Sequence, residues 1–168
     1  VADFVTGVVI GEILDGIMAA TQNKLRSIFA NYDATMREAI ESGKTSVEDI
    51  VTGVENGDIP LRNNIQKGNY GEMKMDVYFK SQGYERISLD RVTDLNAPTH
   101  QGIDGVYYNL DGHPPYIIGE AKYGSSRLAI LADGTPQMSD KWIIDRLENA
   151  VGEGVANDIK MEMILNPD

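Results

Sequence analysis

The segment YIIGEAKY, from Tyr116 to Tyr123, ends with a carboxylate and an ammonium group two residues apart. Its apolar and β-branched residues predict a strand, and side chains alternate between the two faces of a strand. Glu120 and Lys122 therefore share one face with Ile118. A charged group at the end of a buried strand is costly, so it usually has an ionic partner or a chemical role. A structural ion pair is the simpler interpretation of these two residues taken alone.

Two further carboxylates precede this strand on elements that could bring them close to it. Asp104 lies in a second strand pattern, QGIDGVYY, which ends at the turn signal NLDG. We expect the two strands to pair as a hairpin, with Asp104 and Glu120 at the same end. Glu72 falls in the first turn of a predicted helix that stops at Gly83. The sequence therefore predicts a cluster of three acids and one lysine.

The order of these groups resembles the PD-(D/E)XK superfamily, the restriction-endonuclease-like nucleases. Further short stretches are similar to the nuclease modules at the C-terminus of bacterial polymorphic toxins, and contact-dependent growth inhibition toxins in particular. These stretches are GE at 71–72, GID at 102–104, EAKY at 120–123, QMS at 137–139 and WI at 142–143. The resemblance covers roughly residues 64–152.

The resemblance implies an α/β fold, with a mixed β-sheet core flanked by helices, and a divalent metal ion. Asp104, Glu120 and Glu72 would hold the metal, and the Ala121 carbonyl could complete its shell. Lys122 would orient a water molecule and offset the charge that builds on the phosphate. Oxygen ligands favour Mg²⁺ or Mn²⁺, but Zn²⁺ also accepts carboxylates and water, so the metal stays open.

The implied activity is the hydrolysis of phosphodiester bonds in DNA, in interbacterial competition. Cleavage of tRNA on the same fold is the alternative. A non-catalytic alternative is a binding module, in which Asp104, Glu120 and Lys122 form a structural ion network and an acidic surface binds a protein. Toxins of this kind form the C-terminal part of a secreted or cell-surface protein and act in the cytoplasm of the target bacterium. Each is neutralised by a cognate immunity protein.

The charge distribution allows a nucleic-acid groove only in the middle of the chain. The formal net charge is −11, whereas nucleic-acid binders usually carry a basic patch. Residues 61–131 nevertheless contain equal numbers of basic and acidic side chains. The chain has no cysteine, which excludes disulfides and thiolate metal sites.

Side chains on both sides of the last predicted turn are candidates for substrate and partner contacts. We expect the nucleic acid to contact Arg127, Gln137, Lys141 and Trp142. Trp142 could stack on a base, although core packing is the simpler interpretation. The segment 127–138 is predicted to be an exposed excursion that an immunity protein captures by adding a strand. Its candidate partner-binding residues are Leu128, Ile130 and Asp133.

We expect two parts in the chain, a helical segment at 1–60 for delivery into the target cell and the nuclease domain at 61–168. An apolar helical pattern covers 4–29, a second helix follows Asp33, and a capping-box signature, TSVE, opens a third. The turn-rich stretch 55–69 predicts a linker. The first part could touch a membrane transiently. Val1, in place of methionine, suggests a piece of a longer protein.

The remaining patterns predict three short strands, at 84–89, 127–131 and 159–165, and a helix at 140–151 capped by Ser139. His100 precedes Asp104 by one short loop and could bind a metal or shuttle a proton, but a solvated histidine is the simpler interpretation. Asp76 lies one helical turn after Glu72 and could assist the site, although a surface acid is the simpler interpretation.

Overall fold

One antiparallel sheet and four helices make up the part of the chain that the computed structural model describes, which is residues 2–9, by their backbone alone, and residues 46–165. The strands are β1 (Ala2–Val9), β2 (Glu85–Arg86), β3 (Gly105–Tyr108) and β4 (Tyr116–Tyr123). The helices are α1 (Val47–Glu55), α2 (Asn64–Ser81), α3 (Asp140–Val151) and α4 (Glu153–Leu165). The predicted α/β character is confirmed.

The strands follow the order β1-β4-β3-β2, and the three pairings are antiparallel. The expected mixed sheet is therefore wrong for the described residues. The predicted hairpin of β3 and β4 is confirmed, with Gly105 opposite Gly119. The two strands alternate between two buried layers. Val106 and Ile118 pack on the side of α3 and α4, whereas Tyr107 contacts α2.

Helix α2 begins earlier than its sequence pattern predicts. The Asn63 side chain caps the helix by accepting a hydrogen bond from the backbone N–H of Gln66 at 2.9 Å. The expectation of a linker up to residue 69 is therefore wrong from Asn64 onward, and Glu72 lies in the middle of the helix rather than in its first turn. The predicted stop is confirmed, because Gly83 has φ of +82° just after the C-cap.

Helix α1 confirms the third predicted helix, but its capping box lies one residue later than TSVE predicts. Ser46 and Asp49 exchange the two capping hydrogen bonds, at 3.1 and 3.3 Å. Val47 and Val51 are buried in a cluster with side chains of α2. The helix expected over 4–29 is wrong for residues 4–9, which belong to β1, and its remainder and the helix after Asp33 lie outside the described residues.

The C-terminal part contains two helices rather than a helix and a strand. Ser139 caps α3, as predicted, and Trp142 is 2% exposed in the core. The strand expected at 159–165 is wrong, because α4 buries Val155 and Ile159 at helical spacing. The strand expected at 127–131 is also wrong, since only an isolated bridge between Ile130 and Pro136 forms there. No helix in the described ranges is long and apolar enough to cross a membrane.

Candidate functional site

The three predicted acids meet at one end of the hairpin. Asp104 immediately precedes Gly105, the first residue of β3, and Glu120 immediately follows Gly119, the residue of β4 that pairs with Gly105. The Ala121 backbone N–H donates to Oδ2 of Asp104 at 2.8 Å, so the Asp104 carboxylate is held against β4. Glu72 approaches from α2, and the charge of Asp104 raises the pKa of Glu72. The tertiary structure therefore brings the predicted residues Glu72, Asp104 and Glu120 together.

Burial and mutual repulsion make this acid cluster unfavourable without a cation. Burial, followed by the charge of Asp104, raises the pKa of Glu72 to about 7 and that of Glu120 to about 7. Burial also raises the pKa of Asp104, although the Ala121 N–H and Lys122 partly offset it. Each acid is thus harder to ionise in this environment than in water. A bound divalent cation would favour the charged carboxylates.

Glu120 has one satisfied and one unsatisfied oxygen. Its Oε1 accepts a hydrogen bond from Lys122 Nζ at 2.6 Å and another from Gln137 Nε2. Its Oε2 is buried and lacks a hydrogen-bond partner in the described part of the chain. A buried carboxylate oxygen without a partner is unfavourable, and its presence in a site usually has an explanation. A metal ligand is the role that this oxygen and its acidic neighbours fit.

His100 belongs to this site, so the expectation of a solvated loop histidine is wrong. Its Nε2 lies 3.1 Å from Oε2 of Glu72. Burial lowers the pKa of His100, but the charge and hydrogen bond of Glu72, with the charge of Asp104, outweigh it and raise the pKa. One ligand atom each from Glu72, His100 and Asp104 lies within 4.8 Å of the others. In the sequence, the only signal was a histidine shortly before Asp104.

Asp76 is buried, so the expectation of a surface acid is also wrong. Its Oδ1 accepts hydrogen bonds from Arg86 Nη1 at 2.8 Å and from the Tyr107 hydroxyl at 2.6 Å, and its Oδ2 accepts one from Arg91 Nε at 2.9 Å. Arg86 also donates to the backbone carbonyl of Asp104 at 2.9 Å. This network ties α2 to the sheet beside the site. Arg86 was not predicted from the sequence, where its only signal was a charge inside a weak strand pattern.

A cleft of about 610 Å³ opens beside β4 and is lined by Lys67, Lys122 and Arg127. Lys122 thus belongs to both the acid cluster and the cleft. No carboxylate within residues 46–165 forms an ion pair with Lys67 or Arg127. The Lys67 ammonium lies 5.8 Å from the centre of the Tyr123 ring, which also lines the cleft. Two cations that lack a carboxylate partner within residues 46–165, beside an aromatic ring, suit a phosphate backbone and a base.

The other predicted substrate contacts have different surroundings. Gln137 donates to Glu120 and so lies within the site. Lys141 forms an exposed pair with Asp145 at 2.6 Å on α3. The base-stacking role considered for Trp142 is wrong, because the ring is buried in the core, and the simpler interpretation is confirmed.

The predicted partner-binding residues lie on an exposed excursion between β4 and α3. Ile130 is 75% exposed, Leu128 is 37% exposed, and Asp133 is also exposed. The backbone N–H of Gln137 donates to the Ala129 carbonyl at 2.8 Å. This bond closes the excursion at Gln137, whose side chain contacts Glu120, so a protein bound to the excursion would lie next to the site.

Comparison of the chain with protein-family models, with curated proteins and with solved structures finds no match. The chemistry of the site is therefore inferred from its own residues.

Proposed function

We propose that the protein is a metal-dependent nuclease that hydrolyses phosphodiester bonds of DNA, with tRNA as the alternative substrate. One observation carries the proposal. The buried Glu120 and the partly buried Glu72 and Asp104 converge near Lys122, and Glu120 keeps a buried oxygen without a partner in the described part of the chain. Carboxylates that share a partly buried site favour a divalent cation, and a lysine at the wall of a basic cleft favours a phosphate.

Asp104, Glu120 and Glu72 would hold the metal, and these residues fit it by their oxygen donors and by the unsatisfied Glu120 Oε2. A divalent metal supplies charge stabilisation to a scissile phosphate and lowers the pKa of a bound water. Lys122 is positioned to donate to a phosphate oxygen from the cleft. Its ion pair with Glu120, and the hydrogen bond from Gln137, orient the Glu120 carboxylate.

Lys67 and Arg127 would hold the phosphate backbone of the substrate strand, because they line the same cleft as Lys122. Neither cation is neutralised by a carboxylate within residues 46–165. The contacts are to the backbone rather than to base edges, and backbone contacts carry little sequence information. We therefore expect cleavage with weak sequence preference.

In the decisive experiment, the purified chain is incubated with supercoiled plasmid and, separately, with total tRNA. Each reaction contains Mg²⁺, Mn²⁺ or Zn²⁺, or EDTA, and the Glu120→Gln variant controls for contaminating nucleases. Nicking of plasmid that depends on metal and on Glu120 supports the DNA nuclease, and cleavage confined to tRNA supports the alternative. Cleavage of neither substrate by the wild-type chain with any metal would favour the non-catalytic binding module.

A toxin with this activity would form the C-terminal part of a secreted or cell-surface protein and act in the cytoplasm of a target bacterium. The sequence resemblance supports this proposal. It also implies a cognate immunity protein, and we propose that this partner binds the excursion 127–138. The exposed Ile130 and Leu128 offer apolar contacts at the isolated bridge between Ile130 and Pro136. The acidic exterior can steer a basic partner, which makes association sensitive to salt.

A point substitution tests this interface better than a deletion, because Gln137, at the end of the excursion, contacts Glu120. We expect Ile130→Lys to weaken binding of the product of the neighbouring gene by about 10-fold or more, as for a buried apolar contact. The matched control is Ile164→Lys, since Ile164 is 73% exposed on α4. Isothermal titration of both variants, made in a catalytically inactive background, measures the effect. Equal affinity of the two variants would remove the excursion from the interface.

A further inference from the structure

We infer that His100 is a nitrogen ligand of the metal, so that the centre has a mixed nitrogen and oxygen donor set that binds Zn²⁺ more tightly than Mg²⁺. This inference rests on the proposed function, because it assigns a ligand to the same metal centre. It does not depend on which nucleic acid is cleaved.

The distances suit two ligands of one ion. His100 Nε2 and Glu72 Oε2 are 3.1 Å apart, and one ligand atom of each residue lies within 4.8 Å of a carboxylate oxygen of Asp104. Zinc lies about 2.0–2.2 Å from nitrogen and oxygen ligands, so two ligands of the same ion are at most about 4.4 Å apart. The His100–Glu72 pair is within this limit, and the 4.8 Å bound for the Asp104 oxygen is close to it.

A hydrogen bond between His100 and Glu72 would explain their contact without any metal, but it leaves Glu120 unexplained. The Glu120 side chain is 3% exposed, and its Oε2 has no hydrogen-bond partner among residues 46–165. This oxygen belongs to the residue opposite Asp104 across the hairpin, and the charges of Asp104 and Glu72 both act on it. A cation held by Glu72, His100 and Asp104 would place positive charge near Glu120 and so favour its charged carboxylate.

The donor types decide which metal is preferred. Neutral imidazole suits Zn²⁺ and other late transition metals, whereas Mg²⁺ prefers hard oxygen ligands and releases its waters reluctantly. A site of oxygens alone would leave Mg²⁺ as the natural occupant, and one histidine ligand moves the preference toward Zn²⁺. The side chains of His100 and Glu72 are 25% and 12% exposed, so an ion can reach them from solvent.

The test uses the full chain without nucleic acid, and titrates it with Zn²⁺ and with Mg²⁺ by calorimetry. The variant is His100→Gln, which keeps a hydrogen-bond donor for Glu72 but lacks the imidazole nitrogen. The control is His113→Gln, at the only other histidine in the sequence. We expect His100→Gln to weaken Zn²⁺ by about 100-fold or more, because substitutions outside the ligand shell already cost about 10–100-fold. Mg²⁺ affinity should change much less, and His113→Gln should match the wild type.

A second variant separates a ligand from a residue that only orients Glu72. The chain has no cysteine, so His100→Cys introduces a unique thiol. If position 100 is in the coordination sphere, Co²⁺ bound to this variant should show a thiolate-to-cobalt charge-transfer band in the near ultraviolet. An unchanged Zn²⁺ affinity in His100→Gln, or a Co²⁺ complex of His100→Cys without that band, would overturn the inference.

The outcomes also separate this inference from the proposed function. Zn²⁺ binding that depends on His100, without cleavage of DNA or tRNA, would refute the nuclease and keep the ligand assignment. Metal-dependent cleavage, with a Zn²⁺ affinity that is unchanged in His100→Gln, would support the nuclease and refute the ligand assignment. Absence of Zn²⁺ binding to the wild-type chain would overturn the ligand assignment, and cleavage supported by Mg²⁺ alone would still leave the nuclease standing.

Discussion

The Lys122 ammonium group contacts Glu120 and also lines the cleft beside β4. It forms a 2.6 Å ion pair with Glu120, whose side chain is almost fully buried, and it also lines the cleft in which a phosphate would lie. The pair offsets the cost of burying the carboxylate, and the same cation is available to stabilise a phosphate. The two residues therefore have different roles, which substitution can separate.

We expect Glu120→Gln to lose both tight metal binding and cleavage, because it replaces a charged ligand by a neutral amide of the same shape. Lys122→Met should keep metal binding, since it removes no ligand, but lower the cleavage rate by about 10²–10³-fold, as for the loss of one electrostatic contact in a transition state. Calorimetric metal titration and plasmid nicking, run on the same preparations, measure the two effects. Strong metal binding and full activity in Glu120→Gln would show that Glu120 is not a ligand of the metal.

Asp104 should behave like Glu120 in this comparison. Its carboxylate is held by the Ala121 N–H and lies within the proposed ligand set. We expect Asp104→Ala to abolish cleavage while the circular dichroism spectrum and the urea midpoint stay close to those of the wild type, because the change removes a carboxylate and not core packing. Full cleavage by this variant would contradict the proposed nuclease site.

At the scale of elements, the Asp76 network connects α2 to β2 and β3. Asp76 and Arg86 are 4% and 3% exposed, so removal of one partner leaves the other charge buried. We expect Asp76→Ala to lower the free energy of unfolding by about 3–5 kcal/mol. The matched control is Asp145→Ala, which breaks the exposed pair with Lys141 and should cost less than about 1 kcal/mol. Urea unfolding measures both, and equal effects would contradict the burial of the network.

The first 60 residues also contribute elements to the same fold. Strand β1 pairs with β4 from Ala2–Tyr123 to Val9–Tyr116, and α1 buries Val47 and Val51 against α2. Each buried valine contributes about 1.5–3 kcal/mol. The division of the chain at residue 60 stays a prediction, and these contacts argue that the second part depends on the first.

Two truncations test that dependence. A chain that begins at Ser46 loses β1 but keeps the capped helix α1, whereas one that begins at Asn63 loses both. We expect the urea midpoint to fall in two steps, because the first cut exposes the backbone edge of β4 and the second removes the packing of α1. An unchanged midpoint for the chain from Asn63 would show instead that residues 63–168 fold independently.

At the scale of the whole molecule, a net charge of −11 opposes the approach of nucleic acid, while the cleft beside β4 attracts it. Binding that depends on a few cationic contacts should weaken with salt only modestly. We expect Lys67→Ala to reduce the magnitude of the slope of log affinity against log salt by about 0.9 for duplex DNA, the value for one phosphate contact. Lys160→Ala, on α4 and outside the cleft lining, should leave the slope unchanged.

The measurement is fluorescence anisotropy of labelled DNA over a salt series, with every chain carrying Glu120→Gln to prevent cleavage. Because Lys67 and Arg127 line the same cleft, the double variant should lose about twice the slope of either single variant. If the slope of log affinity against log salt were unchanged by substitution of Lys67 and Arg127 but changed in Lys141→Ala, the nucleic acid would bind at α3 and not in the cleft.

The sequence by itself determined the features that depend on neighbours in the chain. Alternating apolar residues and the NLDG turn predicted the hairpin of β3 and β4, and local capping residues predicted the start of α3 and the end of α2. The acids Asp104 and Glu120 were predicted to meet, because the hairpin register brings them opposite each other. The segment 159–165 has no such local signal, because its apolar residues suit either a strand or a helix.

Only the tertiary structure decided the features that depend on residues far apart in the sequence. Asp76 is buried because Arg86, Arg91 and Tyr107 converge on it, and no local pattern specifies such a network. His100 contacts Glu72 because its loop is held against α2, where the Asn69 amide donates to the carbonyls of Leu95 and Ala97. Strand β1 pairs with β4, although more than 100 residues separate the two strands in the sequence. Contacts of this kind follow from the packing of whole elements, which periodicity and capping do not encode.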